Sequence, residues 1–133
     1  MDKIKSFRDL QVWQKAVELA TKIYQITEAF PKTEQYGLTS QMRRAAVSIA
    51  SNIAEGHRRT NPDFARYLTI ALGSVAELET QIEIAKRIDY LTGPTYTDSL
   101  NDLGILGRQL TVLHQRVVGQ RLAPSNQPPD TSD

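Results

Sequence analysis

The sequence predicts an all-α protein, an antiparallel four-helix bundle whose helices run up, down, up and down. Apolar residues recur at spacings of three and four, and they nowhere alternate cleanly at two. Turn residues divide this pattern into four segments with short connections, which make consecutive helices antiparallel neighbours. We expect an N-terminal arm at 1–8, a bundle domain at 9–122 and a disordered polar tail at 123–133.

The first predicted helix carries a stripe of mainly apolar side chains at helical spacing: Leu10, Trp13, Val17, Ala20, Tyr24, Thr27 and Phe30. Asp9 is the predicted N-cap, because its carboxylate can accept the free N–H groups of the first turn. Pro31 ends the helix, since it disfavours helical geometry at Phe30. The aromatic residues of this stripe fit a core better than a cofactor site.

The second predicted helix begins between Thr33 and Thr39 and ends near Gly56 to Thr60, with Gly56 as a candidate C′ residue. Its apolar positions are Leu38, Met42, Ala45, Ala46, Ile49 and Ile53. Many of its other side chains are also small, so neighbouring helices can approach it closely. We therefore place this helix at the centre of the bundle.

The third predicted helix has the clearest beginning. Asn61 offers a capping side chain, Pro62 suits the first helical position, and Asp63 favours the positive end of the helix dipole. A heptad seam follows, formed by Phe64, Leu68, Ala71, Val75, Leu78, Ile82 and Ala85. The apolar surface is widened by Ile70, Ile84, Ile88 and Leu91. Gly93-Pro94 is predicted to close the helix.

The fourth predicted helix carries the apolar stripe Tyr96, Leu100, Leu103, Leu106, Leu110, Leu113 and Val117. Gly104 and Gly107 each cost about 1 kcal/mol in a helix interior, so we interpret them as marks of close helix contact.

Composition and motifs argue against several classes of function. Without cysteine the chain has no disulfide and no thiolate metal site, and no apolar run approaches the roughly 18 residues of a membrane span. Residues 1–6 contain no apolar h-region, so we expect no export signal. His57 and His114 lack the Glu-x-x-His spacing of di-iron bundles, and no phosphate-binding loop is present. We expect a cytoplasmic protein that is not an enzyme, with no metal, no cofactor and no membrane partner.

The net charge of +1 hides an uneven distribution on the predicted topology. The end formed by the arm, the connection between helices 2 and 3, and the end of helix 4 holds eight basic and four acidic residues. We predict that phosphates of RNA or DNA contact Arg58, Arg59, Arg66, Arg116 and Arg121. The alternatives are a solvated surface or a complement to an acidic face on another subunit. No aromatic residues are interleaved with these arginines, so a stacking platform for single strands is poorly supported.

Helix 2 carries a polar stripe and helix 3 carries a second polar group. The stripe is Arg44, Ser48, Ser51 and Glu55, and the group is Ser74, Glu77 and Gln81. If the helices turn near 57–61, Arg43 or Arg44 could pair with Glu77. We predict an oligomer interface or a structural network formed by Arg43, Arg44, Ser51, Asn52, Glu55 and Glu77. A ligand pocket and a catalytic site are the alternatives, and catalysis lacks a second acid or a histidine at the matching level.

Four blocks of the sequence resemble one known family. They are Phe7–Ala16, Tyr36–Ile49, Ser51–Gly56 and Ala71–Thr80. Together they look like the bacterial four-helix-bundle family encoded in 23S rRNA intervening sequences, whose relatives serve as accessory variability proteins of diversity-generating retroelements. The resemblance extends over about 6–118 and leaves the tail outside.

The resemblance implies a homopentameric, barrel-like assembly without known enzyme activity. For the retroelement relatives it implies binding to a reverse transcriptase and to nucleic acid through basic surface. We therefore predict a non-catalytic homo-oligomer that binds RNA or DNA. The alternative is a protein-interaction scaffold that docks a partner such as a reverse transcriptase.

Overall fold

The computed structural model describes residues 6–122, with side chains through residue 120. Four α-helices make up most of it: α1 Gln11–Thr27, α2 Leu38–His57, α3 Asn61–Arg87 and α4 Gly93–Leu122. Short 3₁₀ turns occupy Phe7–Asp9 and Lys32–Glu34, and no strand occurs within 6–122. The all-α class and the four helices are thus confirmed, whereas most of the predicted arm (1–5) and the whole tail lie outside the described residues.

Helix α1 begins and packs differently from the prediction. Leu10, not Asp9, is the N-cap, because Asp9 belongs to a 3₁₀ turn that Ser6 caps by accepting the Arg8 N–H at 3.1 Å. The buried face consists of Val12, Ala16, Leu19, Ile23 and Thr27. Of the predicted stripe, Leu10, Thr27 and Phe30 are buried. Val17 and Tyr24 are instead 37% and 45% exposed. Both series fit a period of 3.6, and packing selects the series that buries the larger aliphatic side chains.

Helix α2 begins and ends within the predicted intervals, and only the role predicted for Gly56 is wrong. Glu34 Oε1 accepts the Leu38 N–H at 3.0 Å and so caps the first turn. Gly56 is not a C′ residue, since the helix continues to His57 with Arg58 as C-cap. A Cβ at Gly56 would lie 2.6 Å from Tyr67 Cβ. This glycine therefore permits the close approach of α2 and α3.

The boundaries of α3 and α4 also correct the prediction. The N-cap of α3 is Thr60, and Asn61 lies inside the first turn with its amide donating to Gln120 Oε1 at 3.2 Å. The helix ends at Arg87, since Asp89 adopts a φ of +66° and reverses the chain. Gly93 begins α4 instead of closing α3.

The core matches the predicted seam. All seven seam residues of α3 are buried, and on α4 the leucines at 103, 106 and 110 are at most 1% exposed. Gly104 and Gly107 do not mark close contacts. A Cβ at Gly107 would lie 3.4 Å from Val75, and one at Gly104 would lie 3.5 Å from Arg108 of its own helix, both ordinary distances. The two glycines border an open hollow between α3 and α4.

Contacts between elements show which connections lie at each end of the molecule. Residue numbers rise along α3 as they fall along α4, in the pairs Asn61–Gln120, Thr69–His114 and Glu83–Tyr96. At one end Tyr90 joins the two outer connections, by donating to Glu34 Oε2 at 2.9 Å and packing on Phe30. The turn between α2 and α3 lies at the other end. No described helix combines the length and apolar character needed to cross a membrane.

Candidate nucleic-acid interface

Three predicted phosphate contacts lie at the end of the molecule where α2 turns into α3. Arg58 and Arg59 follow directly on α2, and Arg66 lies on the second turn of α3. All three side chains are exposed. Gly56 allows α3 to approach closely enough for this clustering, because it places no side chain against Tyr67.

An aromatic ring lies among these arginines. The Cζ atoms of Arg59 and Arg66 are 5.1 Å and 4.6 Å from the ring centroid of Tyr67, which is cation–π distance. The expectation that no aromatic residue accompanies the arginines is therefore wrong. Tyr67 directly follows Arg66 in the sequence, so an aromatic residue beside one of the arginines was predictable. Its proximity to Arg59 depends on the tight turn between the helices, which the sequence pattern did not reveal.

The arginines are partly paired with carboxylates. Arg59 Nε donates to Glu55 Oε2 at 3.2 Å, and this hydrogen bond raises the pKa of Arg59 above its ordinary value. Arg66 Nη2 lies 3.8 Å from Asp63 Oδ1. A guanidinium has five N–H donors, and exposed pairs of this kind contribute only about 0–1 kcal/mol, so both arginines keep donors for a further anion.

Beside Arg58, the same end holds a hollow of about 430 Å³. It is lined by Ser6, Phe7, His57 and Arg58. His57 packs edge-on against Phe64 with ring centroids 5.6 Å apart. Arg8 adds another positive charge nearby, with its guanidinium over the Phe7 and Trp13 rings. The basic end thus continues from α3 to the 3₁₀ turn before α1.

The remaining predicted phosphate contacts lie elsewhere or outside the described side chains. Arg116 is exposed and, with Arg108, borders a mainly apolar hollow beside Leu10 and Val12 at the beginning of α1. The structure therefore groups it with the α1–α4 face rather than with Tyr67. The side chain of Arg121 lies outside the described residues.

Arg43 does not reach Glu77, because it lies on the side of α2 that faces α1. Its Nε donates to Thr27 Oγ1 at 2.8 Å, and its Nη2 donates to the Tyr24 carbonyl and to Glu28 Oε1. The guanidinium also covers the Tyr24 ring at 4.5 Å. In this structure Arg43 therefore connects α1 and α2.

Small polar groups connect α2 and α3. The hydroxyls of Ser48 and Ser74 are 2.8 Å apart, and the Asn52 amide donates to the Ser48 carbonyl at 2.8 Å. Glu77 Oε2 receives only a long bond of 3.5 Å from Gln81. The other predicted interface residues are exposed along this face: Arg44, Ser51, Glu55 and Glu77. Their part in an interface stays a prediction.

Acidic residues and histidines form no cluster suited to a metal within the described part of the chain. His114 lies 3.2 Å from Thr69 Oγ1 on the α3–α4 face, away from His57. Among the described residues, the arginines at the α2–α3 turn are therefore the candidate binding site.

Comparisons with known proteins agree with the resemblance of the sequence blocks. The family model of the 23S rRNA-intervening sequence protein matches residues 8–112. A crystal structure of a protein with unknown function from the S23 ribosomal protein family, from Bacteroides thetaiotaomicron VPI-5482, is similar at 27% identity and a TM-score of 0.71. The match covers 78% of this chain and 98% of that chain. A search of curated proteins finds no match. The chain belongs to the 23S rRNA-intervening sequence protein family.

Proposed function

We propose that this protein is a non-catalytic, homo-oligomeric four-helix bundle that binds RNA or DNA through its basic end. The observation that carries the proposal is the cluster of Arg58, Arg59 and Arg66 at the α2–α3 turn of a chain with a net charge of only +1. Clustered arginines attract phosphates and release counterions on binding. A cytoplasmic location, where such ligands are present, is part of the proposal.

Assembly is the second part of the proposal. We infer an antiparallel up-down-up-down protomer, which the opposite order of contacts along α3 and α4 supports. The hollow between these helices offers apolar surface to a second copy, because the accessible side chains of Leu72, Ala76 and Val112 line it together with Gly104 and Gly107. The homopentameric number comes from the family resemblance alone.

The binding test compares fluorescence anisotropy of labelled RNA and DNA with the wild type and Arg58→Glu/Arg59→Glu. We expect weaker binding and a salt slope reduced by about 2, because each phosphate contact contributes about 1. The matched control is Lys86→Glu/Arg87→Glu at the other end. There Arg87 pairs with Glu83 at 2.9 Å and Lys86 lies over the Tyr96 ring, so the local contacts are comparable.

Unchanged affinity and salt slope in the Arg58→Glu/Arg59→Glu variant would refute the binding site. An equal loss in the control variant would show that only overall charge matters.

A scaffold that docks a protein, such as a reverse transcriptase of a diversity-generating retroelement, is the second candidate. The apolar lining of the α3–α4 hollow favours it. Salt separates the two functions, because phosphate binding weakens steeply between about 50 and 200 mM salt whereas apolar docking does not. A partner retained at high salt through the hollow would favour the scaffold.

A further inference from the structure

We propose that Tyr67, with Arg59 and Arg66 stacked on it, is a platform for unpaired nucleobases, so that the basic end selects single-stranded nucleic acid. This inference rests on the function proposed above and deepens it, because it names the structural class of the ligand. The ring of Tyr67 would add base stacking, which neither the net charge nor the number of arginines provides.

The ring is held in place by its own helix and by α2. Tyr67 is half-buried, and its Cβ lies against the position where Gly56 has no side chain. A ring fixed in this way loses little conformational entropy when a ligand stacks beside it. The platform is therefore preorganised by the helix packing.

The two guanidiniums extend the stacking surface of the ring. With Cζ atoms 4.6 Å and 5.1 Å from the ring centroid, Arg66 and Arg59 are close enough to stack on Tyr67. A planar guanidinium stacked on an aromatic ring leaves its second face available, and unpaired bases stack on such planes as they do on aromatic rings. Arg59 Nε and Nη2 both donate to Glu55, so the phosphate beside that base would use the remaining N–H donors of the two guanidiniums.

The carboxylates near the platform orient the arginines without occupying all of their donors. Glu55 accepts from Arg59, and Asp63 lies 3.8 Å from Arg66. A double helix offers phosphates to these arginines, but its bases are stacked on one another and present no free face. Only an unpaired strand can use the ring and the charges together, and stacking is worth roughly tenfold in affinity per base.

A second tyrosine under an arginine gives a matched control. Arg43 lies over the Tyr24 ring at 4.5 Å, but its donors are bonded to Thr27, to the Tyr24 carbonyl and to Glu28. Tyr24 also lies near the end of α1, away from the α2–α3 turn. The same substitution at Tyr24 removes a similar contact where we expect no platform.

The experiment measures binding of labelled oligouridine, oligothymidine, and hairpin duplexes of RNA and DNA to the full chain. Tyr67→Leu removes the ring and keeps the arginines, Tyr67→Phe keeps the ring, and Tyr24→Leu is the control. We expect Tyr67→Leu to weaken single-strand binding about tenfold with an unchanged salt slope, and duplex binding by less than about twofold. Tyr67→Phe and Tyr24→Leu retain wild-type affinity. The strand type that shows the loss identifies the ligand as RNA, DNA or both.

A probe on the wild type makes the test independent of variant folding. A 2-aminopurine base placed in the single strand loses fluorescence when it stacks, and we expect this quenching on binding. Full single-strand affinity in Tyr67→Leu, equal losses for single strand and duplex, or no quenching would each overturn the platform. If Arg58→Glu/Arg59→Glu still weakens binding and reduces the salt slope, the proposed function survives that result. If the wild type binds no oligonucleotide, both proposals fail.

Discussion

Two glycines, Gly56 in the last turn of α2 and Gly73 in the interior of α3, have opposite surroundings. A Cβ at Gly56 would lie 2.6 Å from Tyr67 Cβ and 3.0 Å from Phe64 Cδ1. A Cβ at Gly73, exposed on α3, would meet nothing within 4 Å. Glycine is required by packing at the first position and is only a weak helix former at the second.

The same substitution at these glycines is therefore expected to have opposite effects. Gly56→Ala should destabilise the fold by about 1–3 kcal/mol, because the closely packed α2–α3 junction must open. Gly73→Ala should stabilise it by about 0.5–1 kcal/mol, because alanine favours helix. Urea unfolding monitored by circular dichroism measures both. A Gly56→Ala variant as stable as the wild type would show that α2 and α3 are not in close contact there.

At the scale of elements, sequence periodicity predicts a helix well when its apolar residues occupy one face. The α3 seam from Phe64 to Ala85 meets this condition, and all of it is buried. In α1 two offset apolar series compete, and only packing against α2 and α4 decides between them. Helix ends were less predictable, since the positive φ of Asp89 and the capping of α2 by Glu34 depend on the folded connections.

The candidate site likewise has features that the sequence predicts and features that it does not. Arg58, Arg59 and Arg66 are close to one turn in the sequence, so their presence at the same end of the molecule was predictable. The contact between Tyr67 and Arg59 requires the geometry of the turn, and the bonds of Arg43 to α1 require the rotation of α2 about its axis. Contacts of this kind are set by how whole helices pack.

The beginning of α2 should be sensitive to acid. The Leu38 N–H and then the Tyr90 hydroxyl, both donating to Glu34, lower the pKa of its carboxyl below 4.5. Because the folded pKa is lowered, the stabilisation is complete above the unfolded value near 4.5 and is lost as pH falls through the folded value. Glu34→Ala should lower the melting temperature near pH 7, and this deficit should shrink in acid.

Thermal melts of wild type and Glu34→Ala across pH 2.5 to 7 (about the range in which carboxylates titrate) test this expectation. Glu79→Ala, an exposed carboxylate on α3, is the control and should leave the melting temperature nearly unchanged. A deficit that stays constant at every pH would show that Glu34 does not act through its charge.

At the scale of the whole molecule, the proposed assembly predicts a mass. Light scattering coupled to size exclusion should give about five times the 14.9 kDa of one protomer at low and at high salt, because burial of apolar surface is weakly dependent on salt. Nucleic acid that co-purifies should be lost at high salt, which the ultraviolet absorbance ratio records. A monomeric mass at both salt concentrations would refute the assembly.

The bond between Tyr90 and Glu34 has a consequence for local opening of the fold. It joins the connection before α2 to the connection after α3, and Phe30 packs on the same tyrosine. Local opening of either connection would break this link and expose the other, so amide hydrogens in both are expected to exchange with solvent as one cooperative unit. The opposite end, where α2 turns into α3 through Arg58 to Thr60, would then exchange as a separate unit, so the packing around Tyr67 would stay intact when the far end opens.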